Sequence, residues 1–211
     1  MTIKELHDNL YNEESPRNYR YLLNYYETNR DLIENVDLSN LDDYDYAMKL
    51  TCDYSLALFD LGYAKKGILY SDKAISLIEN FPNFDKDKLF DIRFYELILF
   101  NKAKALYNLK KYKESALIFE KLNKQFPEND FYLSWIYGLK NRKYQLLSNI
   151  GLYVMLFSII LNIFFEKTSR NFYIYIYFLL IFSLIFATIS KIIFEIKRYK
   201  LKKLNKKLYP N

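Results

Sequence analysis

The chain has 211 residues with 31 Lys and Arg, 25 Asp and Glu, one His and one Cys. A lone histidine and a lone cysteine exclude an ordinary zinc set and an intrachain disulfide, and the single thiol suits a reducing compartment. The net charge of +6 is uneven, because residues 1–145 carry 21 basic and 23 acidic side chains, the last 66 carry 10 and 2, and the first 48 carry 4 and 11.

Glycine and proline are scarce, four each, and apolar residues recur at helical rather than alternating spacing. An all-α fold is predicted. Residues 2–12 suit a short first helix. Ser15 and Pro16 read as the start of a second, with Ser15 as cap and Pro16 at the first helical position. That helix would carry Tyr19, Leu22, Leu23, Tyr26, Ile33 and Val36. The stretch LSNLDDYDY from Leu38 reads as a loop. Asp42, Asp43 and Asp45 at its end suit the start of a helix, where the dipole favours acids. A calcium loop would need a glycine and a ligand spacing that these residues lack.

An internal repeat follows. Phe81-Pro82-Asn83-Phe84-Asp85 recurs 45 residues later as Phe126-Pro127-Glu128-Asn129-Asp130. Each proline stops a helix and each aspartate can cap the next. Upstream of each motif lies a helix pair, about 43–62 with 65–81 and about 86–109 with 112–125. Self-similarity at this period marks stacked helical hairpins.

The stretch AKALYNLKKYKESALIFEKLNKQFP, Ala103 to Pro127, resembles the tetratricopeptide repeat. In that family small residues sit where the two helices of a unit cross, aromatics open the second helix and lie within it, and a proline closes the unit. Ala103 and Ser115 match the small positions, Tyr112 and Phe119 the aromatics, and Pro127 the closing proline. In the earlier copy Gly67 and Ala74 fit small positions, but Ser71 replaces the mid-helix aromatic, and the spacing departs from the family's usual period. The resemblance implies a TPR-like stack of helical hairpins that holds a protein or peptide partner in a concave groove. Residues 1–36 would add one more hairpin. A helix through Phe131, Trp135, Ile136 and Leu139 would cap the stack and continue, nearly unbroken, from about 131 to 165.

The chain then becomes strongly apolar. Leu146 to Phe165 and Phe172 to Ser190 contain no charge. Roughly 20 helical residues cross a hydrocarbon core of about 30 Å, so a transmembrane helical hairpin is predicted at about 146–165 and 172–192. Tyr173, Tyr175 and Tyr177 suit an interfacial belt. Basic residues flank the outer ends of the hairpin far more densely than its turn, Glu166 to Asn171. The positive-inside rule therefore puts both termini in the cytoplasm. The expectation is an integral protein of a bacterial inner or plasma membrane, with a cytoplasmic domain over 1–145. One face of each span is small or polar: Ser148, Gly151, Met155, Ser158 and Asn162 on the first, Ser183, Ala187 and Ser190 on the second. Such faces let helices approach closely in lipid, either within the hairpin or between copies in a homo-oligomer. The tail, 197–211, carries Lys197, Arg198, Lys200, Lys202, Lys203, Lys206 and Lys207 with leucines at helical spacing. It reads as a basic amphipathic helix in contact with anionic lipid.

Reaction chemistry is absent from the motifs. No phosphate loop, nucleophile elbow or kinase signature occurs, so no enzyme activity, cofactor or metal is expected, and no nucleic acid. His7 reads as a surface residue and Cys52 as a buried structural one. Tyr19, Tyr21, Tyr25, Tyr26, Tyr44, Tyr46 and Tyr54 read as packing groups, some with a recognition role. The reading that follows is a membrane-anchored scaffold or adaptor. The alternatives are a membrane effector whose hairpin oligomerises and permeabilises the bilayer, or an accessory or inhibitory subunit of a larger membrane complex.

Overall fold

The structure, a computed structural model, describes residues 1–12, 15–16, 18–82, 85–164 and 170–208, and of residues 86, 87, 93, 164, 170–173 and 206–208 only the backbone. Among the described residues all regular structure is helical. The chain divides into two compact units, Met1–Phe126 and Pro127–Asn211.

The first unit contains α1 (Ile3–Leu10), α2 (Tyr19–Thr28), α3 (Arg30–Glu34), α4 (Leu41–Asp60), α5 (Ala64–Glu79), a 3₁₀ turn (Lys86–Asp91), α6 (Arg93–Asn108) and α7 (Tyr112–Gln125). A capping box opens α1: the Thr2 hydroxyl accepts from the Glu5 N–H, and the Glu5 carboxylate accepts from the Thr2 N–H. Ile3, Leu6 and Leu10 then lie on one face and are buried, with α1 packed on α4. At the centre, α4 touches α1, α2, α5 and α6. It buries Ala47, Leu50, Cys52, Tyr54, Ala57 and Leu58. A helix covered on several sides loses the one-faced pattern of a surface helix. Each fully buried leucine such as Leu58 contributes about 1.5–3 kcal/mol relative to exposure.

Several boundaries differ from the sequence expectation. The second helix is capped by Asn18, whose Oδ1 accepts from the Tyr21 N–H at 2.8 Å. The Ser15 hydroxyl instead donates back to the Asn9 carbonyl at 2.6 Å. The expected long helix is split at Asn29, which closes α2 and opens α3. Asn40 caps α4, with Asp42 and Asp43 in its first turn, where the dipole favours them. The expected helix from 86 begins only at Arg93, after the 3₁₀ turn. Asn83 and Phe84 of the first proline motif lie outside the described residues.

Successive helices pack on one another, as in a helical repeat: α4 on α5, α5 on α6, α6 on α7. The turns within the two hairpins share three backbone hydrogen bonds. In the first, Leu61, Gly62 and Tyr63 donate N–H bonds to the carbonyls of Ala57, Phe59 and Leu58. In the second, Leu109, Lys110 and Lys111 donate to Ala105, Tyr107 and Leu106. Gly62 and Lys110 both take positive φ, 83° and 63°. These residues stand 48 positions apart, so the turns repeat at 48 while the proline motifs repeat at 45. The first hairpin has the longer second helix, 16 residues in α5 against 14 in α7.

The second unit contains α8 (Asp130–Lys140), α9 (Arg142–Phe164) and α10 (Arg170–Leu208). The expected single helix over 131–165 is interrupted at Asn141. Its N–H still bonds the Tyr137 carbonyl at 3.0 Å, while the Tyr144 N–H tightens onto the Asn141 carbonyl at 2.9 Å. Both α8 and α9 lie against α10. Their partners run in opposite order along it: Pro127 with Asn205, Asp130 with Lys202, Tyr137 with Phe194, Ser148 with Ala187. The segments Arg142–Ile163 and Ile174–Asn205 are long and apolar enough to cross a membrane, and only 11% and 22% of their most apolar stretches are buried. The core helix of a soluble protein would bury most of such a stretch. Residues 166–169 of the expected turn lie outside the described residues, as does the Tyr173 side chain.

A residue bearing Cβ in the left-handed region is strained by about 1–2 kcal/mol. Lys110→Gly is therefore expected to raise stability by about 1 kcal/mol and Gly62→Ala to lower it by about as much. Thermal unfolding of the detergent-solubilised chain, followed by circular dichroism, checks this. Shifts of the same sign for both variants would contradict a shared turn.

Candidate interaction sites

Where α2, α4 and α5 converge, three tyrosines meet. Tyr26 stacks on Tyr54 with centroids 3.9 Å apart, and Tyr70 stands edge-on to both, at 5.8 and 4.6 Å. All three side chains are buried, and such ring pairs add about 0.5–1.5 kcal/mol beyond their area. Buried phenols need partners for their hydroxyls. Tyr54 donates to Glu27, which also accepts from Lys66. Tyr70 donates to Glu34 at 2.7 Å and accepts from Arg30. Glu34 further accepts from Lys73 at 3.0 Å and from Arg30 Nε at 3.1 Å.

The helix break at Asn29 separates Glu27 from Arg30 and Glu34. Asn29 Nδ2 bonds the Tyr25 carbonyl at 2.9 Å and fixes that break. Partial burial alone would raise the Glu34 carboxyl. The hydrogen bonds from Tyr70, Lys73 and Arg30 overrule it and hold the group down at about 2, against an ordinary 4.5. Burial and the hydrogen bond to Glu27 push the Tyr54 hydroxyl up.

The same device recurs one hairpin on. Tyr95 donates to Glu79, and Lys121 reaches both the Tyr95 hydroxyl and, at 3.4 Å, Glu79. Lys73 and Lys121 occupy equivalent places, 48 positions apart. Each bonds a glutamate at the end of an earlier helix, Glu34 of α3 and Glu79 of α5. Sequence reading missed these latches because isolated Glu and Lys residues carry no spacing signal until the hairpins are aligned by their turns.

Beside the first latch opens a pocket of about 430 Å³, floored by Tyr26, Ile33, Ala47 and Leu77 and rimmed by Glu34 and Lys73. Its wall includes Leu38 from the segment joining α3 to α4. Apolar floor and charged rim suit one inserted apolar side chain.

Ala103 and Ser115 are buried face to face, the Ser115 hydroxyl donating to the Ala103 carbonyl at 2.8 Å. Phe119 is fully buried, edge-on to Phe100. Tyr112 is half-buried against Tyr107. Pro127 begins the second unit, and its carbonyl accepts from Asn205. In the earlier copy Gly67 lies under the Phe59 ring, 2.7 Å from where a Cβ would stand. Ala74 is buried, and so is Ser71, bonded to the Ile68 carbonyl. Cys52 is buried, and burial pushes its thiol up, away from reactivity. His7 packs between Tyr11 and Tyr46. Among the described residues no group of His, Cys, Asp and Glu is arranged to hold a metal ion.

In the second unit Gly151, Ser158, Ser183, Ala187 and Ser190 are buried, while Ser148, Met155 and Asn162 are half-buried. A Cβ on Gly151 would stand 2.9 Å from that of Ala187, so the glycine sets the close approach of α9 to α10. The Ser158 and Ser183 hydroxyls turn to their own helices, to Val154 and Leu180, whereas Ser148 donates across to the Ala187 carbonyl at 3.5 Å. The basic tail is no separate element: it continues α10 to Leu208. Lys197 donates to the Tyr144 hydroxyl at 2.8 Å and Lys202 pairs with Asp130. Arg198 pairs with Glu195 at 3.8 Å. Lys200 and Lys203 are exposed, and the side chains of Lys206 and Lys207 lie outside the described residues.

Glu34 is held ionised in the folded chain, so the folded state binds fewer protons than the unfolded one below the ordinary carboxylate range. Its stabilisation is present above pH 4.5 and is lost as pH falls towards about 2. Glu34→Gln is expected to flatten that part of an acid-unfolding curve, and an unchanged slope would count against the latch. Gly151→Ile is expected to cost about 1–3 kcal/mol by forcing α9 from α10. Unfolding in detergent measures it, with Ile150→Val, at an exposed position, as the silent control.

Comparison of the chain with protein families, with curated proteins and with solved structures finds no match.

Proposed function

We propose that this chain is a membrane-anchored scaffold whose first unit, a TPR-like repeat, binds a protein or peptide partner on the cytoplasmic side. The observation that carries the reading is the repetition of one hairpin turn in α4–α5 and α6–α7, with Lys73 and Lys121 at matching places in α5 and α7 and each paired to a glutamate of an earlier helix. Units that stack by repeating the same contact build extended binding surfaces. The pocket at Ile33, Ala47 and Leu77 supplies an anchor position for an apolar partner side chain. The two exposed apolar helices supply the membrane attachment, and the lysines and arginines at their outer ends favour cytoplasmic termini.

The effector alternative needs a small-polar face free to line a pore. Gly151, Ser158, Ser183 and Ala187 are instead covered within the hairpin, which favours the anchor role. No catalytic role is assigned to any residue.

A photo-crosslinking amino acid placed at Leu38 or Leu77, beside the pocket, and at Leu117, which is 67% exposed on α7, tests the reading in intact cells. The expected result is one shared protein adduct from the first two positions and none from the third. If only adducts between copies of this chain form, the oligomeric effector reading replaces it.

A further inference from the structure

The outer end of the α9–α10 hairpin carries a notch of about 270 Å³, lined by Gln145, Asn149 and Leu152 from one helix and Lys191, Phe194 and Glu195 from the other. We propose that this notch binds the headgroup of an anionic phospholipid, a proposal that rests on the membrane-spanning reading of the hairpin.

Its place along α10 is the first argument. The residues from Phe172 to Ser190 are uncharged, and Lys191 is the first charge after them. An ammonium at that point meets the bilayer at the level of the lipid phosphates. Lys191 is exposed and makes no hydrogen bond or ion pair with another described residue.

The second argument is charge. Tyr144 stands at the same notch. Lys197 lies 4.3 Å and Lys143 5.2 Å from its ring centroid. Lys191 thus lines the opening, and two further lysines flank it through Tyr144. The single carboxylate there, Glu195, is 3.8 Å from Arg198, so its charge is already opposed. Basic pockets between membrane helices suit anionic headgroups.

The third argument is the two-ended chemistry of the lining. Gln145 and Asn149 offer amide N–H donors to phosphodiester oxygens. Leu152 and Phe194 offer apolar surface, continued on α9 by exposed Leu156 and Ile160. Free phosphate would use only the polar end, whereas a phospholipid uses both.

The test uses the full chain. Alkaline carbonate extraction of membranes comes first: loss of the chain to the supernatant removes the membrane reading itself, before any lipid is tried. The chain that stays is purified in mild detergent and titrated, under native mass spectrometry, with phosphatidylglycerol, with phosphatidylcholine and with inorganic phosphate. Phosphatidylglycerol is expected to be retained preferentially. Lys191→Gln should weaken it about fivefold, the factor one cation contributes against an anionic leaflet, while Lys200→Gln, farther along α10, leaves it unchanged. Circular dichroism confirms that both variants remain helical. Equal retention of the two lipids, an unaffected Lys191→Gln, or phosphate bound as tightly as the lipid would each overturn the proposal.

Discussion

The contact on which the first unit depends is the meeting of Tyr26, Tyr54 and Tyr70. Three helices, α2, α4 and α5, converge on these rings. The Tyr54 and Tyr70 hydroxyls are held by Glu27 and Glu34, with Arg30, Lys66 and Lys73 closing the charge, while the Tyr26 hydroxyl pairs with that of Thr51. Surface ion pairs in isolation are worth little. Here the acids accept from buried phenols as well as from lysines, so geometry is shared between packing and charge. The ring stack fixes where the helices cross, and the carboxylates fix how far each can slide.

The two units solve opposite solvation problems. In the first, apolar surface is turned inward and α4 is covered on several sides. In the second, apolar surface faces outward along both long helices, and the inner contact is made by small residues. Water rewards the first arrangement. In the membrane setting proposed above, lipid would offer no such reward between helices, and close approach and dispersion would have to hold the second. Gly151 against Ala187 is the place where that approach is tightest.

The sequence carried the fold class and the helix pairs well. The second hairpin's α7 was read at its observed ends, because Tyr112 and the Phe126-Pro127 pair mark both limits. Three helix boundaries differ through single hydrogen bonds that composition does not reveal, and a fourth, the start of α6, through a 3₁₀ turn over Lys86–Asp91. Ser15 and Asn18 compete for the same cap, and a tertiary bond to Asn9 takes Ser15 away. Asn29 and Asn141 each interrupt an apolar pattern that continues across them, so periodicity ran straight through both. The small face of the hairpin was readable because close packing demands small side chains at helical spacing. The Glu–Lys latches were not, since their partners are brought together only by the stacking of hairpins.

One feature of α10 reaches beyond packing. At 39 residues it is about 58 Å long, nearly twice the thickness of a hydrocarbon core. It contains neither glycine nor proline between Arg170 and Leu208, the residues at which helices usually bend. A rod of this kind has no joint along its length. Rotation or tilt imposed near Lys202, where α8 grips it through Asp130, is carried along the rod to the exposed phenylalanines as a change of angle, so the membrane anchor proposed above would also be a lever.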